Sequence, residues 1–394
     1  MAATGQCGKV ARIQVWAIDS CATVSTIAPP ALQRRVSALS WSRSGSRLVA
    51  VGGDDNRTAF IFSFSRSPSA AQVYKENIAA PASKDAAEDA SKQQPLFLSS
   101  PVLLFSIAMQ VPSYLSASHS HNLIMLLQPA DVYSAQFNTF SGNDGAGEFW
   151  AVGDKMVKSC DILARSCSKG IFGGNGVLQS ALCVTFSSSP AFVITGMADG
   201  DVYFWSAGSV ITKNQCAHVG GVTSVAWLNQ MADKGPVPRL VTGGKDDYLR
   251  IWDMSDRVAS LTATLHSTTP QPFPLLSRFC LTHVLTRSLG YRAAVVSLDY
   301  RQESDRLAVG TSKNALFVIQ LSAFIPASSP ASSDAPAAQR ALSNDMLTIL
   351  SSGHGGEIGA LAMVMWHGQN CAVTGSTDGT VRAQSTLHKQ RRPQ

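Results

Sequence analysis

At 394 residues with 45% hydrophobic content, the chain is long enough to bury a large core, and its low charged fraction of 15% points to short strands and turns rather than helices. Its net charge of +6 suits a partner with an acidic surface but is too small for a dedicated nucleic-acid binder. No charged segment leads into an apolar run at the start, and the longest apolar stretch, residues 101–111, is too short to cross a bilayer, so neither a secretory signal nor membrane association is expected.

In chain order, Ala2-Ala-Thr-Gly-Gln6 reads as the end of a second strand, residues 12–19 as a third and Ala22–Ile27 as a fourth. The chain is therefore expected to start inside a repeat unit, with the first strand of that unit missing. A second unit runs Val36–Trp41, Arg47–Asp55 and Ala59–Phe64. Residues 66–100 then lose the strand pattern and read as an insertion. Val132–Phe137 and Glu148–Asp154 belong to a third unit, and Ala181–Phe186, Phe192–Gly200 and Val202–Trp205 to a fourth. The fifth is the best preserved: His218-Val-Gly-Gly-Val-Thr-Ser-Val-Ala-Trp227 leads to Arg239-Leu-Val-Thr-Gly-Gly-Lys-Asp-Asp-Tyr-Leu-Arg-Ile-Trp-Asp253. After a Thr/Pro-rich insertion at 266–290 comes a sixth unit, Ala294–Asp299, Arg306–Thr311 and Ala315–Ile319. An Ala/Ser/Pro-rich insertion at 322–348 precedes the seventh, Ile358–Met363 and Cys371–Gly379, and a basic tail at 386–394 closes the chain.

One such unit cannot bury both faces of its own sheet, so the units are expected to stack. The fold class expected is all-β: a seven-bladed WD-repeat β-propeller over residues 1–385, with an incomplete first blade (1–30) and long loop insertions. In a WD repeat, His218, Thr242, Asp246 and the indole of Trp252 form a buried network in which each group supplies what its neighbour lacks. Asp199 and Trp205 occupy the same places in the fourth unit, and His354, Thr374 and Asp378 in the seventh. There the position six residues after Asp378 is Gln384, so that trio lacks an aromatic partner.

The wording of the repeats resembles the echinoderm microtubule-associated protein-like (EMAP-like) family. Lys169-Gly-Ile-Phe-Gly173 is the most specific segment. Leu182–Phe186, Val193–Gly196, Asp199–Trp205, Ala217–Val222 and Leu307–Leu316 extend the resemblance, as do Ala3–Gln6 and Arg12–Ser20, so that it spans residues 2 to 385. Members carry a hydrophobic motif ahead of the first blade, a second propeller and, in some cases, a coiled coil. This chain resembles the first propeller alone. The resemblance implies tubulin or microtubule binding and a location in the cytoplasm and cytoskeleton, at a cilium, flagellum or spindle. An alternative from another class is a generic scaffold or adaptor, such as a subunit of a ubiquitin ligase or of ciliary transport.

Partners are expected on the exposed loops. Arg34 and Arg35, with Arg43 and Arg47 nearby, and Lys245 and Arg250 are the candidate basic contacts for an acidic protein surface. The pairs His218–Asp246 and His354–Asp378 invite a base-and-orienter reading, but their places in the repeat argue for structural networks and against an enzyme. His119-Ser-His121 lacks a Cys or carboxylate at ligand spacing, and Gly173-Gly-Asn-Gly176 is a Gly-rich turn without a following helix; no metal site, cofactor or catalytic residue is expected. The eight cysteines contain no C-x-x-C pair and read as reduced core thiols.

Overall fold

In the computed structural model the described residues are 1–18, 20, 22–30, 32–54, 57–64, 102–108, 131–141, 145–188, 192–232, 235–254, 283–288, 293–321 and 347–386. Seven antiparallel sheets follow one another along the chain. In chain order the strands of the first two are β1 (Ala2–Gly5), β2 (Cys7–Val10), β3 (Ile13–Ala17), β4 (Ala22–Ile27), β5 (Gln33–Trp41), β6 (Arg47–Gly52), β7 (Thr58–Ser63) and β8 (Val102–Ala108). The first sheet is β1-β3-β4, and the second is β2-β5-β6-β7-β8.

The third sheet comprises β9 (Val132–Phe137), β10 (Glu148–Gly153), β11 (Met156–Asp161) and β12 (Ser166–Lys169). The fourth has β13 (Ala181–Phe186), β14 (Val193–Met197), β15 (Val202–Ser206) and β16 (Ser209–Asn214). The fifth has β17 (Val222–Ala232), β18 (Gly235–Gly244), β19 (Tyr248–Asp253) and β20 (His283–Ser288). The sixth has β21 (Val295–Arg301), β22 (Arg306–Thr311), β23 (Ala315–Gln320) and β24 (Leu347–Ser351). The seventh is β25 (Ile358–Trp366), β26 (Gln369–Ser376) and β27 (Val381–Ser385). This is the strand succession of a seven-bladed β-propeller. Its only helical piece among the described residues is a 3-10 turn at Gln302–Ser304.

Three details depart from the sequence expectation. Strand β2 crosses from the first sheet to the second, pairing Cys7 with Arg35, although no alternation marks it. Strands β20 and β24 overlap segments read as insertions, 266–290 and 322–348, each pairing with the third strand of its sheet. Residues 66–100 and the tail after Thr386 lie outside the described residues. The cysteines also differ from expectation: Cys160 and Cys167 form a disulfide across the β11–β12 hairpin. Antiparallel pairing brings the two side by side although their spacing fits no motif. Cys183 and Cys371 are buried free thiols, and burial pushes Cys183 up to about 12.

The contacts group the chain into two units, residues 1–150 with 160–167, and residues 151–159 with 168–394. Within each, alternate residues of a strand serve different neighbours, as the period of two demands. In the larger unit, Leu240 and Trp252 of the fifth sheet pack on Ile194, Val202 and Phe204 of the fourth. The intervening Val241 and Ile251 pack on Leu307, Val309 and Phe317 of the sixth. Ala308, Leu316 and Val318 then face Ile358, Met363 and Ala372 of the seventh. In the smaller unit, Ile13, Val15 and Ile27 of the first sheet meet Leu48, Phe60 and Phe62 of the second. At roughly 1.5–3 kcal/mol for each large apolar side chain buried, these inter-sheet cores dominate the stability.

One steric rule sets how closely the sheets approach. A glycine in or at the end of a second strand sits against the branched residue that opens the next sheet: Gly5 on Val36, Gly196 on Val222, Gly243 on Val295 and Gly310 on Ile358. A Cβ on Gly196 would lie 2.7 Å from Val222 Cγ1, closer than packing allows. Gly196→Ala is therefore expected to cost about 1–3 kcal/mol by forcing the fourth and fifth sheets apart. Gly174→Ala, where a Cβ meets open space, should stay within about 1 kcal/mol of the wild type. Urea unfolding of the two variants checks this, and equal midpoints would refute the rule.

Candidate functional site

The polar residues singled out in the fifth unit meet. Trp252 Nε1 donates to Thr242 Oγ1 at 2.9 Å, and Thr242 Oγ1 lies 2.8 Å from His218 Nε2. His218 Nδ1 lies 2.8 Å from Asp246 Oδ1, whose other oxygen accepts from Val219 N and from Arg250 Nη1 at 2.9 Å. Because the indole can only donate, the Thr242 hydroxyl accepts from it and donates its own hydrogen bond to Nε2. The ring is then neutral, with Nδ1–H donating to the carboxylate. The 2.6 Å approach of Arg250 Nη1 to Nδ1 sets two donors together, so the attractive contact of Arg250 is the one to Asp246.

His218 and Thr242 are almost fully buried, at 2% and 0% exposure. Burial pushes His218 below its ordinary value against the pull of Asp246. Burial alone would raise Asp246, yet the bonds from His218, Arg250 and the Val219 N–H hold it below the usual carboxylate range. A threonine–histidine–aspartate relay has the connectivity of a nucleophilic triad, but this hydroxyl is sealed under an indole and can meet no substrate.

The seventh sheet repeats half of the pattern. His354 Nε2 lies 2.8 Å from Thr374 Oγ1, and Nδ1 lies 2.9 Å from Thr380 Oγ1 and 3.3 Å from Asp378 Oδ2. Bonds from the Thr380 hydroxyl, the Thr380 N–H and the Gly355 N–H hold Asp378 far below the usual carboxylate range. Gln384, in the aromatic position, donates to Ser352 O at 2.8 Å instead. In the fourth sheet Trp205 Nε1 donates to Thr195 Oγ1 at 2.9 Å. Asp199 is not bonded into that pair. It sits in an exposed turn, accepting from Gln179 Nε2 at 2.6 Å and from Asp201 N, because no histidine stands ahead of β13 to draw it inward.

A wider regularity links these pairs. In the first sheet Trp16 Nε1 donates to Thr4 Oγ1 at 2.8 Å. In each case the Thr lies two residues beyond the strand partner of the Trp: Trp16 opposite Ala2, Trp205 opposite Val193, Trp252 opposite Leu240. Thr4 and Thr195 were not singled out from the sequence, although the dipeptide Thr-Gly marks them as it marks Thr242 and Thr374. In the second and sixth sheets, which have no Trp there, the slot is apolar on both sides, with Phe62 beside Ala50 and Ile319 beside Val309.

The candidate basic contacts fare differently. Arg35 pairs with Asp131 at 3.0 Å, and the buried Arg57 reaches the same carboxylate at 2.7 Å. Arg250 is committed to Asp246 and lies over the Tyr248 ring at 4.9 Å. Arg35 and Arg250 are thus each held in an ion pair, the Arg35 side chain remaining 45% exposed and that of Arg250 19%. Arg34 lies on the exposed side of β5 with a positive φ of 67°, and Lys245 is exposed in the β18–β19 turn. Arg47 Nη1 donates to Ala146 O at 2.8 Å. The exposed loop residues beside the networks are apolar instead: Val177, Leu178 and Val219 at 62, 52 and 77% exposure. Val219 N donates to Asp246, and Val177 N donates to the Tyr203 hydroxyl at 3.1 Å, so the backbone at these two positions is hydrogen-bonded.

Two stretches, residues 166–206 and 210–253, match the family model described as WD domain, G-beta repeat. The chain carries WD40 repeats. They coincide with β12–β15 and β16–β19, including the His218–Asp246 network. Among solved structures, the chain is similar to the Cps50 (Swd1) β-propeller domain of Myceliophteria thermophila, with a TM-score of 0.58 at 12% identity. The alignment covers 98% of this chain and 93% of that one, a likeness of fold. No described helix is long and apolar enough to cross a membrane.

Two measurements probe the network. Thr195→Val should cost about 1–3 kcal/mol because it strands the buried indole N–H, and Trp205→Phe in that background should add less than it does alone. Additive costs in a double-mutant cycle would show that the pair is not a unit. For His218 the folded value is depressed, so the unfolded chain binds the proton more readily, and its share of stability is lost as pH falls below the ordinary histidine range. Ring NMR resonances of His218 should therefore still report a neutral, Nδ1-protonated ring at pH 6.

Proposed function

We propose that this WD40-repeat β-propeller is a non-enzymatic scaffold for protein–protein interaction. The observation that carries the reading is the fate of its chemically capable groups. The His–Asp pairs are consumed in buried networks that lock strand ends, while the loops beside them present exposed apolar side chains such as Val219, whose N–H is bonded to Asp246. Sites of this kind bind other proteins through shape and apolar contact rather than transform small molecules.

A narrower reading is tubulin or microtubule binding, supported by the EMAP-like segments, above all Lys169–Gly173. The structure adds a local reason for that segment: Gly170 is wedged between Trp205 and Val157, and the Phe172 ring meets the Trp205 ring edge-on at 5.0 Å. An acidic polymer would also be attracted by a net charge of +6.

Co-sedimentation of the folded protein with stabilised microtubules separates the two readings. The tubulin reading expects pelleting at low salt that weakens as salt rises. A folded sample that stays in the supernatant at low salt excludes tubulin and leaves the general scaffold. Replacing Val177, Leu178 and Val219 together by Ser should abolish binding to any partner seated there without lowering the melting temperature.

A further inference from the structure

The fourth strands of the sheets are not held alike. Strand β16 places Val210 and Asn214 in buried positions, whereas β12, Ser-Cys-Ser-Lys, has no large apolar side chain and no fully buried residue. Burial therefore contributes little to keeping β12 on the third sheet. What joins it to β11 is backbone pairing and the Cys160–Cys167 disulfide.

The disulfide and the bond from Gly170 N to Val157 O at 2.8 Å share one register, in which Lys158 lies opposite Lys169. Residues two apart share a face of a strand, so both lysines stand on the face that carries the two sulfurs. Antiparallel pairing alternates between hydrogen-bonded and non-hydrogen-bonded sites, and side chains approach closest at the latter. Gly170 with Val157 is a hydrogen-bonded site, so Lys158 with Lys169 is a close one. Like charges set directly across oppose the pairing. Lys158 registers this: burial and the neighbouring Lys169 both hold its ammonium below the ordinary lysine value.

We propose that the Cys160–Cys167 disulfide is a redox latch. It holds β12 on the third sheet against the opposed charges of Lys158 and Lys169, and reduction by a dithiol lets β12 come away, leaving β11 as the edge of the sheet. Cys160 is fully buried and Cys167 partly exposed, so a thiolate of the dithiol attacks the Cys167 sulfur and expels the Cys160 thiolate. The second thiol of the reductant then attacks its own sulfur in the mixed disulfide and expels the Cys167 thiolate. Two electrons and two protons pass from the reductant to the protein, which ends with two thiols, and the reductant leaves as a cyclic disulfide. The two lysines on that face favour both departing thiolates.

Hydrogen exchange of the full chain with and without dithiothreitol tests the latch. The readout is the Ser168 amide, which the alternation puts in a hydrogen-bonded pair with Ser159, and Ile194 of β14 is the reference. The disulfide restricts the opened hairpin, so reduction is expected to lower Ser168 protection roughly tenfold or more and to leave Ile194 unchanged. In Lys169→Glu an opposite charge faces Lys158, and the reduced variant is expected to keep about threefold more protection at Ser168 than the reduced wild type. Equal Ser168 protection before and after reduction overturns the latch, and so does an equal fall at Ile194. Equal protection in the two reduced proteins overturns the part assigned to the lysines. Alkylation under denaturing conditions after incubation with oxidised glutathione is a further check: blocked Cys160 and Cys167 support the proposal, and alkylation of both refutes it.

Discussion

The structure depends on one constraint: the fifth and sixth sheets are apolar on both faces, so neither face of either can be left uncovered. The inter-sheet cores show it directly, with Leu240 and Trp252 serving the fourth sheet while Val241 and Ile251 serve the sixth. Covering both faces demands a fixed approach distance, and the glycine at the end of a second strand supplies it by leaving room for Val222, Val295 or Ile358. Local sequence and long-range packing thus meet in a single residue. Three of these spacing glycines, Gly5, Gly196 and Gly243, follow the threonines of the polar slots, which ties sheet spacing and strand-end chemistry there to one dipeptide.

The polar slot obeys a second constraint. Within the slot each indole N–H has a threonine hydroxyl as its acceptor, which removes the cost of an unmet donor. In the first, fourth and fifth sheets Trp and Thr appear as a pair, and in the second and sixth both are absent, as in Phe62 with Ala50 and Ile319 with Val309. The seventh sheet tests this logic because Thr374 stands without a tryptophan. There His354 Nε2, at 2.8 Å, accepts the hydrogen bond of the hydroxyl, and Gln384 turns its amide to Ser352 O. No group is stranded, so the missing aromatic costs packing rather than an unsatisfied donor.

Much of this was legible in the sequence because alternation and turn chemistry are local. The seven units, the Trp252 network and the role of Gln384 as a departure follow from spacing alone. What was not legible involves partners far apart in sequence or strands without a pattern. The Asp131 carboxylate that takes Arg35 lies 96 residues away, and no periodicity links them. Strand β2 is four residues long, with a single apolar branched side chain. Asp199 has the right place in its unit, but its partner depends on whether a histidine or Gln179 precedes the strand, a choice made by the neighbouring loop.

The charged residues explain why net charge is a poor guide to the binding surface here. The pairs of Arg35 and Arg57 with Asp131, Lys213 with Asp201 and Arg250 with Asp246 spend cations on strand ends and turns. A solvated cation contributes long-range attraction, whereas one held in a local ion pair is neutralised within a few ångströms and steers little. Exposed apolar side chains beside the networks include Val177, Leu178 and Val219, and the N–H groups of Val219 and Val177 are bonded to Asp246 and Tyr203. Since ordering a loop costs free energy at the moment of binding, a network that has already ordered it lowers that cost. In the proposed scaffold, the His–Asp network would serve recognition without touching a partner, by holding the Val219 N–H on Asp246.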